Sequence, residues 1–163
     1  MSKNKGKGFE EHIQQAFESV PNCIAHRLKD QIGKYRNVSN PCDFYFYRMP
    51  YFYAIETKST HGASLPFSNI REKEQIDDLH ELSMNDGVVA GFIIWFIDKD
   101  ETVFVSHDIV YSMYKEGLKS ISLRYIKELP QNKWCVIEGT KKRVYFNYTV
   151  DSFLVWADET RRC

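Results

Sequence analysis

The sequence predicts a single α/β domain, spanning residues 1–163, with a mixed β-sheet. Its length suits one domain, since domains usually contain about 100–200 residues. An apolar fraction of 43% with 27% charged residues is too apolar for a disordered chain and too charged for a membrane bundle. Strand-like runs of aromatic and β-branched residues alternate with helix-like stripes of apolar residues, which favours the α/β class.

The first half of the chain predicts a helix followed by a short strand and a hairpin. Apolar residues from Phe9 to Val20 recur at helical spacing, and Pro21 ends this helix. Two aromatic-rich runs separated by a Pro-containing break are typical of an antiparallel hairpin. The predicted elements after the helix are a strand at 23–28, a polar loop at 29–41, hairpin strands at 43–47 and 51–58, and a loop at 61–66.

The second half of the chain predicts a buried strand between helices. Ser68 and Asn69 can cap a helix that runs from about Ile70 to Met84. An uninterrupted apolar run at 88–97 is expected of a strand covered on both faces. The remaining predicted elements are a strand at 102–105, a helix at 106–114, irregular chain at 118–133, strands at 134–138 and 143–148, and a closing helix at 150–157.

The composition excludes several classes of protein. The longest apolar stretch has 11 residues, whereas a membrane-spanning helix needs roughly 20. The basic N-terminus is followed by polar residues, so a secretory signal is excluded, and a membrane partner is not expected. Four scattered cysteines form no zinc or CxxC pattern, which predicts reduced thiols and a cytoplasmic protein.

The charges are balanced overall but unevenly distributed. The net charge is zero, which argues against binding of nucleic acid by bulk charge alone. Residues 1–36 carry seven Lys and Arg against four Asp and Glu, a local charge of 7 − 4 = +3. Further basic clusters occur at 141–143 and 161–162. Such patches are consistent either with phosphate contacts or with an ordinary solvated surface.

Two carboxylates and a lysine of the hairpin form the candidate site. Glu56 and Lys58 are two residues apart, so on a strand they point to the same face, and hairpin pairing brings Asp43 beside Glu56. Burying such charges without partners is costly, and a divalent cation between the two carboxylates would remove that cost. Mg²⁺ suits this oxygen-ligand set. The spacing alone favours the alternative that Glu56 and Lys58 are solvated on a surface hairpin.

The wider sequence context resembles the PD-(D/E)xK nucleases, and within them the RecU-type Holliday-junction resolvases. Pro41-Cys42-Asp43 is a relaxed form of the first half of the motif, and Glu56-Thr57-Lys58 is its complete second half. The resemblance extends over about residues 4–154. The other matching segments are Asn4-Lys5-Gly6-Lys7-Gly8-Phe9-Glu10, Leu65-Pro66-Phe67-Ser68-Asn69-Ile70 with Gln75-Ile76, Asp86-Gly87, the segment 102–114 and Leu118-Lys119-Ser120-Ile121.

The resemblance implies a fold and a set of residue roles. The fold is restriction-endonuclease-like, with a mixed central sheet flanked by helices. Asp43 and Glu56 would be metal ligands together with the backbone carbonyl of Thr57, and Lys58 would be the catalytic lysine. Glu10 would complete the site directly or through water; the alternative is an ordinary acidic residue in the first turn of the helix, favoured by the helix dipole. Gln75 would orient the site, although the family commonly has His-Gln where Glu74-Gln75 stands here with one extra residue nearby; a solvent-facing Gln75 is an equal alternative.

The implied function is magnesium-dependent cleavage of four-way DNA junctions by paired nicks that leave 5′-phosphate and 3′-hydroxyl ends. Mn²⁺ is an expected substitute for Mg²⁺, and Ca²⁺ is expected to support binding better than cutting. Two nicks need two active sites, which predicts a homodimer on branched DNA.

The alternatives are another PD-(D/E)xK nuclease with a different DNA target, or a non-catalytic DNA-binding recombination accessory protein. His61 near the motif could contact DNA, but an ordinary loop histidine is the more frequent case.

Overall fold

The computed structural model describes residues 2–28, 40–70, 72–143 and 145–161. The loop predicted at 29–41 lies outside the described residues except for its last two positions. Within the described ranges, no helix combines the length and the apolar character needed to cross a bilayer.

A six-stranded mixed sheet forms the centre of the molecule. Its strands lie in the order β1-β2-β3-β5-β6-β8, and only β3 and β5 pair in parallel among these neighbours. The predicted mixed sheet is therefore confirmed. The bounds of the strands are β1 Ile24–Arg27, β2 Phe44–Arg48, β3 Tyr51–Thr60, β5 Val88–Phe96, β6 Glu101–Ser106 and β8 Trp134–Val136, with β4 at Ser64–Pro66.

Helices cover both faces of the central sheet, as the sequence predicts. One apolar cluster contains Phe17 of the first helix and Phe153 of the last, and a second cluster on the other face contains Leu79 and Val110. Each helix buries an apolar stripe against the sheet, which is the usual way that an α/β fold excludes water from its core. The helices are α1 Ser2–Glu18, α2 Asp78–Ser83, α3 His107–Lys115, α4 Leu123–Glu128 and α5 Asp151–Arg161.

Two small antiparallel sheets lie beside the central one. Strand β4 pairs with β7, Ser120–Ser122, and β9, Gly139–Lys141, pairs with β10, Phe146–Tyr148. The prediction of irregular chain at 118–133 is therefore wrong, since β7 and α4 lie there. The sequence signal is weak because each of these strands has only three residues, and its pairing partner is distant in the sequence.

The helix predicted from Ile70 to Met84 is not α-helical throughout. A π-helical segment occupies Glu72–Asp77 and leads directly into α2. A π-turn closes its hydrogen bonds over one residue more than an α-turn, so it accommodates one extra residue in a helix.

Candidate active site

The pairing of β2 with β3 fixes Asp43 against the middle of β3. Phe44 lies opposite Ile55, and the backbone N–H of Asp43 donates to the carbonyl of Ile55 at 3.2 Å. The Oδ2 atom of Asp43 accepts hydrogen bonds from the backbone N–H of Thr57 at 2.8 Å and from its hydroxyl at 2.7 Å. The carboxylate is therefore held by two donors before any ligand arrives.

Glu56 and Lys58 lie together on the same face of β3. The Nζ atom of Lys58 is 2.6 Å from Oε1 of Glu56. The side chain of Glu56 is 1% exposed and that of Lys58 is 19% exposed. Their predicted adjacency is confirmed, and the alternative of a solvated surface pair is wrong, because Glu56 is buried and only the lysine has access to solvent.

Gln75 reaches Glu56 from the π-helical segment. Its Nε2 atom donates to Oε1 of Glu56 at 2.6 Å, and the residue is buried. The alternative of a solvent-facing Gln75 is therefore wrong. One oxygen of Glu56 accepts from both Lys58 and Gln75, which fixes the position of this carboxylate from two different elements.

Glu10 lies on α1 near these residues. Its Oε2 atom is 2.5 Å from Nη2 of Arg27, which belongs to β1. The charge of Glu10 contributes to raising the pKa of Glu56, so the two carboxylates are close enough to interact. The structure thus brings Glu10 to the edge of the site and holds it there with an arginine.

An open groove runs past the exposed end of Lys58. Its volume is about 650 Å³, and its lining includes Glu10, Thr57, Lys58 and His61. His61 is anchored at the groove, since its Nδ1 atom lies 2.8 Å from Oδ1 of Asp98. The groove gives an extended ligand access to the lysine and to the acidic residue of α1.

Burial dominates the electrostatics of Glu56. Loss of solvent around the carboxyl raises its pKa to about 8, the neighbouring charge of Asp43 adds to that effect, and Lys58 opposes it. The Oε2 atom of Glu56 is buried and has no hydrogen-bond partner in the described part of the chain. An unsatisfied buried carboxylate oxygen beside a second carboxylate is costly unless a cation is shared between them.

The donor set fits a hard divalent cation. Asp43 and Glu56 offer carboxylate oxygens, which Mg²⁺ prefers, and the orphaned Oε2 atom is available for a ligand bond. Within the described ranges, no three or more Asp, Glu, His or Cys side chains form a metal-binding group. Two protein carboxylates are nevertheless sufficient for Mg²⁺, because this ion usually keeps several waters and also binds substrate phosphates.

Comparison with known protein families identifies the chain. Residues 25–151 match the family model of recombination protein U, RecU, which covers more than half of the chain. The chain belongs to the RecU family. The matched region contains Asp43, Glu56, Lys58 and Gln75, whereas Glu10 lies before its first residue.

Two individual proteins extend the RecU comparison. An uncharacterized SPbeta prophage-derived protein of Bacillus subtilis (strain 168), YotM, is 27% identical over 138 residues, which cover 81% of this chain and 68% of that protein. The solved structure of Hjc from Archaeoglobus fulgidus, a Holliday junction resolvase from an archaeal hyperthermophile, superposes with a TM-score of 0.54 at 18% identity. The superposition covers 75% of this chain and 92% of Hjc, and it confirms the predicted nuclease-like fold class.

Three residues around this RecU-family site were not identified from the sequence. Arg27 pairs with Glu10, Asp98 pairs with His61, and His107 donates to the segment that carries Gln75. Each is far in sequence from its partner, so no spacing rule connects them. The carbonyl role predicted for Thr57 stays a prediction, since the contacts of Thr57 with Asp43 use its N–H and hydroxyl.

Proposed function

We propose that this chain is a magnesium-dependent endonuclease that resolves four-way DNA junctions by paired nicks. The observation that carries the proposal is the fully buried Glu56 carboxylate beside Asp43. One of its oxygens is bound to Lys58 and Gln75, and the other has no partner among the residues that the structure describes. Membership of the RecU family supports a role in recombination. The neighbouring fold of Hjc, a Holliday junction resolvase, supports the same substrate class.

Asp43 and Glu56 are the proposed metal ligands, with the Thr57 carbonyl as a third. The two donors from Thr57 hold Oδ2 of Asp43, which leaves its other carboxylate oxygen for the ion. Bound Mg²⁺ supplies a Lewis acid for the phosphodiester and for the attacking water. Glu56 lies on β3 and Asp43 directly precedes β2, which pairs with β3, so the sheet positions both ligands and they need little reorganisation on binding.

Lys58 is the proposed catalytic residue in contact with the substrate. Its ammonium group lies between the buried Glu56 and the open groove, where it can stabilise the charge that develops on the phosphate. Gln75 holds Glu56 in place from the other side. Glu10, oriented by Arg27, faces the same groove and completes the acidic side of the site.

The groove and the need for two nicks suggest how a junction is bound. A duplex arm lying along the groove would pass Lys58 and His61, and the basic residues 141–143 offer further phosphate contacts. The described part of one chain forms one such site, so we propose that a homodimer makes the two nicks. We propose that residues 1–163 act as one nuclease domain in the cytoplasm, where DNA and reduced thiols coexist.

The decisive experiment compares a synthetic four-way junction with a linear duplex of the same sequence. In Mg²⁺ or Mn²⁺, the protein should cut the junction much faster and leave 5′-phosphate and 3′-hydroxyl ends. Ca²⁺ should allow binding with little cutting. Equal rates on both substrates would instead indicate a nuclease with another target, and junction binding without any metal-dependent cutting would indicate an accessory protein.

Matched variants assign the cutting to this site. Lys58→Ala and Asp43→Asn should abolish cleavage while retaining junction binding and a native melting temperature. Lys127→Ala removes an exposed lysine outside the groove lining and serves as the control, since it should still cut. If both site variants still cleave the junction, the active site must lie elsewhere in the protein.

Mixed dimers test the paired nicks. Wild-type and Lys58→Ala chains, co-expressed with different tags and purified through both, should nick a cruciform plasmid without linearising it. Wild-type dimers should linearise it. Linear product from the mixed species at the wild-type rate would contradict the proposal that each chain makes one nick.

A further inference from the structure

The π-helical segment Glu72–Asp77 brings Gln75 to the site, and its conformation depends on contacts from α3. A π-turn is rarely the most stable conformation of a helix, and it persists where other parts of the structure hold it. Here the residue after Gln75, Ile76, is fully buried, and its backbone carbonyl accepts a hydrogen bond from the Nε2 atom of His107 at 2.9 Å. His107 is the first residue of α3.

The environment of His107 fixes its chemical form. The residue is 0% exposed, and burial lowers its pKa, so the ring is neutral. Because a carbonyl can only accept, Nε2 carries the proton and Nδ1 does not. The Nδ1 atom has no partner among the described residues. The ring therefore makes one directed hydrogen bond, and that bond ends on the segment that carries Gln75.

Two other contacts join α3 to the same region without touching the carbonyl of Ile76. Lys115 pairs with Asp77 at 3.0 Å, and the ring of Tyr111 stacks on His80 with centroids 3.8 Å apart. These contacts pack the two helices together, but neither gives a donor to the residue that follows Gln75. The ring of His80 also lies against that of His107, with centroids 5.4 Å apart, whereas the exposed pair of Lys115 with Asp77 does not involve His107. Lys115→Ala is therefore the matched control for general packing.

We propose that His107 is a positioning residue for the active site. Its hydrogen bond to the carbonyl of Ile76 holds the π-turn in the conformation that places the Gln75 amide against Glu56. One hydrogen bond of 2.9 Å joins His107 to Ile76, and another of 2.6 Å joins the preceding residue, Gln75, to Glu56. The inference rests on the proposed function of Glu56 and Gln75, and it deepens that proposal by extending the site to α3.

The first test does not depend on DNA cleavage. It follows the NMR chemical shifts of the Gln75 side-chain amide. In a ¹⁵N correlation spectrum of the metal-free protein, the side-chain NH₂ signals of Gln75 are assigned by their loss in Gln75→Ala. His107→Phe, which keeps the ring volume but removes the donor, should shift these signals toward those of a free glutamine. His107→Gln, which can still donate, should keep them near wild type, and Lys115→Ala should leave them unchanged.

The second test uses cleavage in single turnover at saturating enzyme. Gln75→Ala and His107→Phe should each slow cleavage by about tenfold, as expected for a lost positioning contact. The double variant Gln75→Ala/His107→Phe should be no slower than Gln75→Ala, since both changes remove the same contact. His107→Gln should recover most of the rate, and Lys115→Ala should cut at the wild-type rate.

The outcomes separate this proposal from the function on which it rests. If the wild type cuts no DNA, the proposed function fails, but the NMR test still decides whether His107 positions Gln75. Unchanged Gln75 signals in His107→Phe, or losses of rate that multiply in the double variant, would overturn the positioning role. If His107→Phe does not fold, His107→Met is the replacement, with the same expected shift.

Discussion

The two faces of β3 have opposite chemistry. On one face, Tyr53 and Ile55 are fully buried in an aromatic cluster with residues of α1 and α5. On the other face, Ala54 is followed by Glu56 and Lys58, and Glu56 binds both Lys58 and Gln75. The alternation of side chains along a strand puts the two environments within one residue of each other.

This difference separates stability from function within a single strand. The aromatic face gains free energy from burial and ring packing, as in the stack of Phe17 on Phe46 with centroids 3.7 Å apart. The site face loses free energy by burying Glu56, whose second oxygen has no partner among the described residues. Variants on the two faces should therefore have opposite profiles of stability and activity.

The largest effect is expected for Glu56→Gln on the site face. Cleavage should fall by about 1,000-fold or more, because a neutral amide is a poor ligand for a divalent cation. The melting temperature of the metal-free protein at pH 7 should change by no more than about 2 °C. The reason is that Glu56, with a pKa of about 8, is already largely protonated at that pH. Activity assays and calorimetry on the same preparation measure both quantities, and a large loss of stability would contradict this separation of the faces.

On the aromatic face, Phe17→Ala should have the reverse profile. Removing a fully buried ring from the stack with Phe46 should lower the free energy of unfolding by about 3–5 kcal/mol. Chemical denaturation measures this loss. Single-turnover cleavage per folded molecule, measured well below the melting temperature, should stay near wild type, and Phe17→Leu should show a smaller loss of stability.

The pH dependence of stability should also come from the site face. Because the pKa of Glu56 is raised in the folded state to about 8 from an ordinary 4.5, the folded protein binds this proton more tightly than the unfolded chain does. Protonation therefore stabilises the fold below pH 4.5, and this contribution is lost as pH rises through about 8. Melting temperatures of the metal-free protein should fall by several degrees over this range relative to Glu56→Gln, and Mg²⁺ should oppose the fall. If the melting temperatures of the wild type and of Glu56→Gln change equally with pH, the buried carboxyl is not the cause of the pH dependence.

The smallest effect is expected at the edge of the site, where Arg27 pairs with Glu10. Both side chains are partly exposed, so Arg27→Ala should lower the free energy of unfolding by no more than about 1 kcal/mol. Cleavage should fall by about tenfold, because Glu10 loses its fixed position beside the groove. Arg124→Ala, which breaks the exposed pair with Glu128, is the control and should change neither quantity. An equal loss of rate in both variants would indicate a general effect of surface charge.

Much of the fold was accessible from the sequence because the long elements carry strong periodic signals. The stripe from Phe9 to Phe17 and the apolar run of β5 predict elements that the structure confirms. The three-residue strands β7 and β9 were missed, since so short a segment is defined by its partner in space. The π-helical turn was also missed, because its hydrogen-bonding pattern depends on what packs around it.

The predicted adjacency of Glu56 and Lys58 followed from the two-residue period of a strand, which holds whatever the rest of the fold does. Their burial did not follow, because solvent access depends on the helices that cover the strand. The contact of Gln75 with Glu56 crosses 19 positions, and the bond of His107 to Ile76 crosses 31. Local patterns contain no information about such pairs.

The amino-acid sequence by itself determined the kind of fold, the family and the acidic motif with its lysine, since these are encoded in residue types at short spacing. Only the tertiary structure decided that Glu56 is buried, with one oxygen that no described residue contacts. It also decided that the Gln75 amide binds this carboxylate and that His107 of α3 binds the segment carrying Gln75. The physical reason is that periodicity acts between neighbours in the chain, whereas desolvation and long-range hydrogen bonds arise only when distant segments pack against each other.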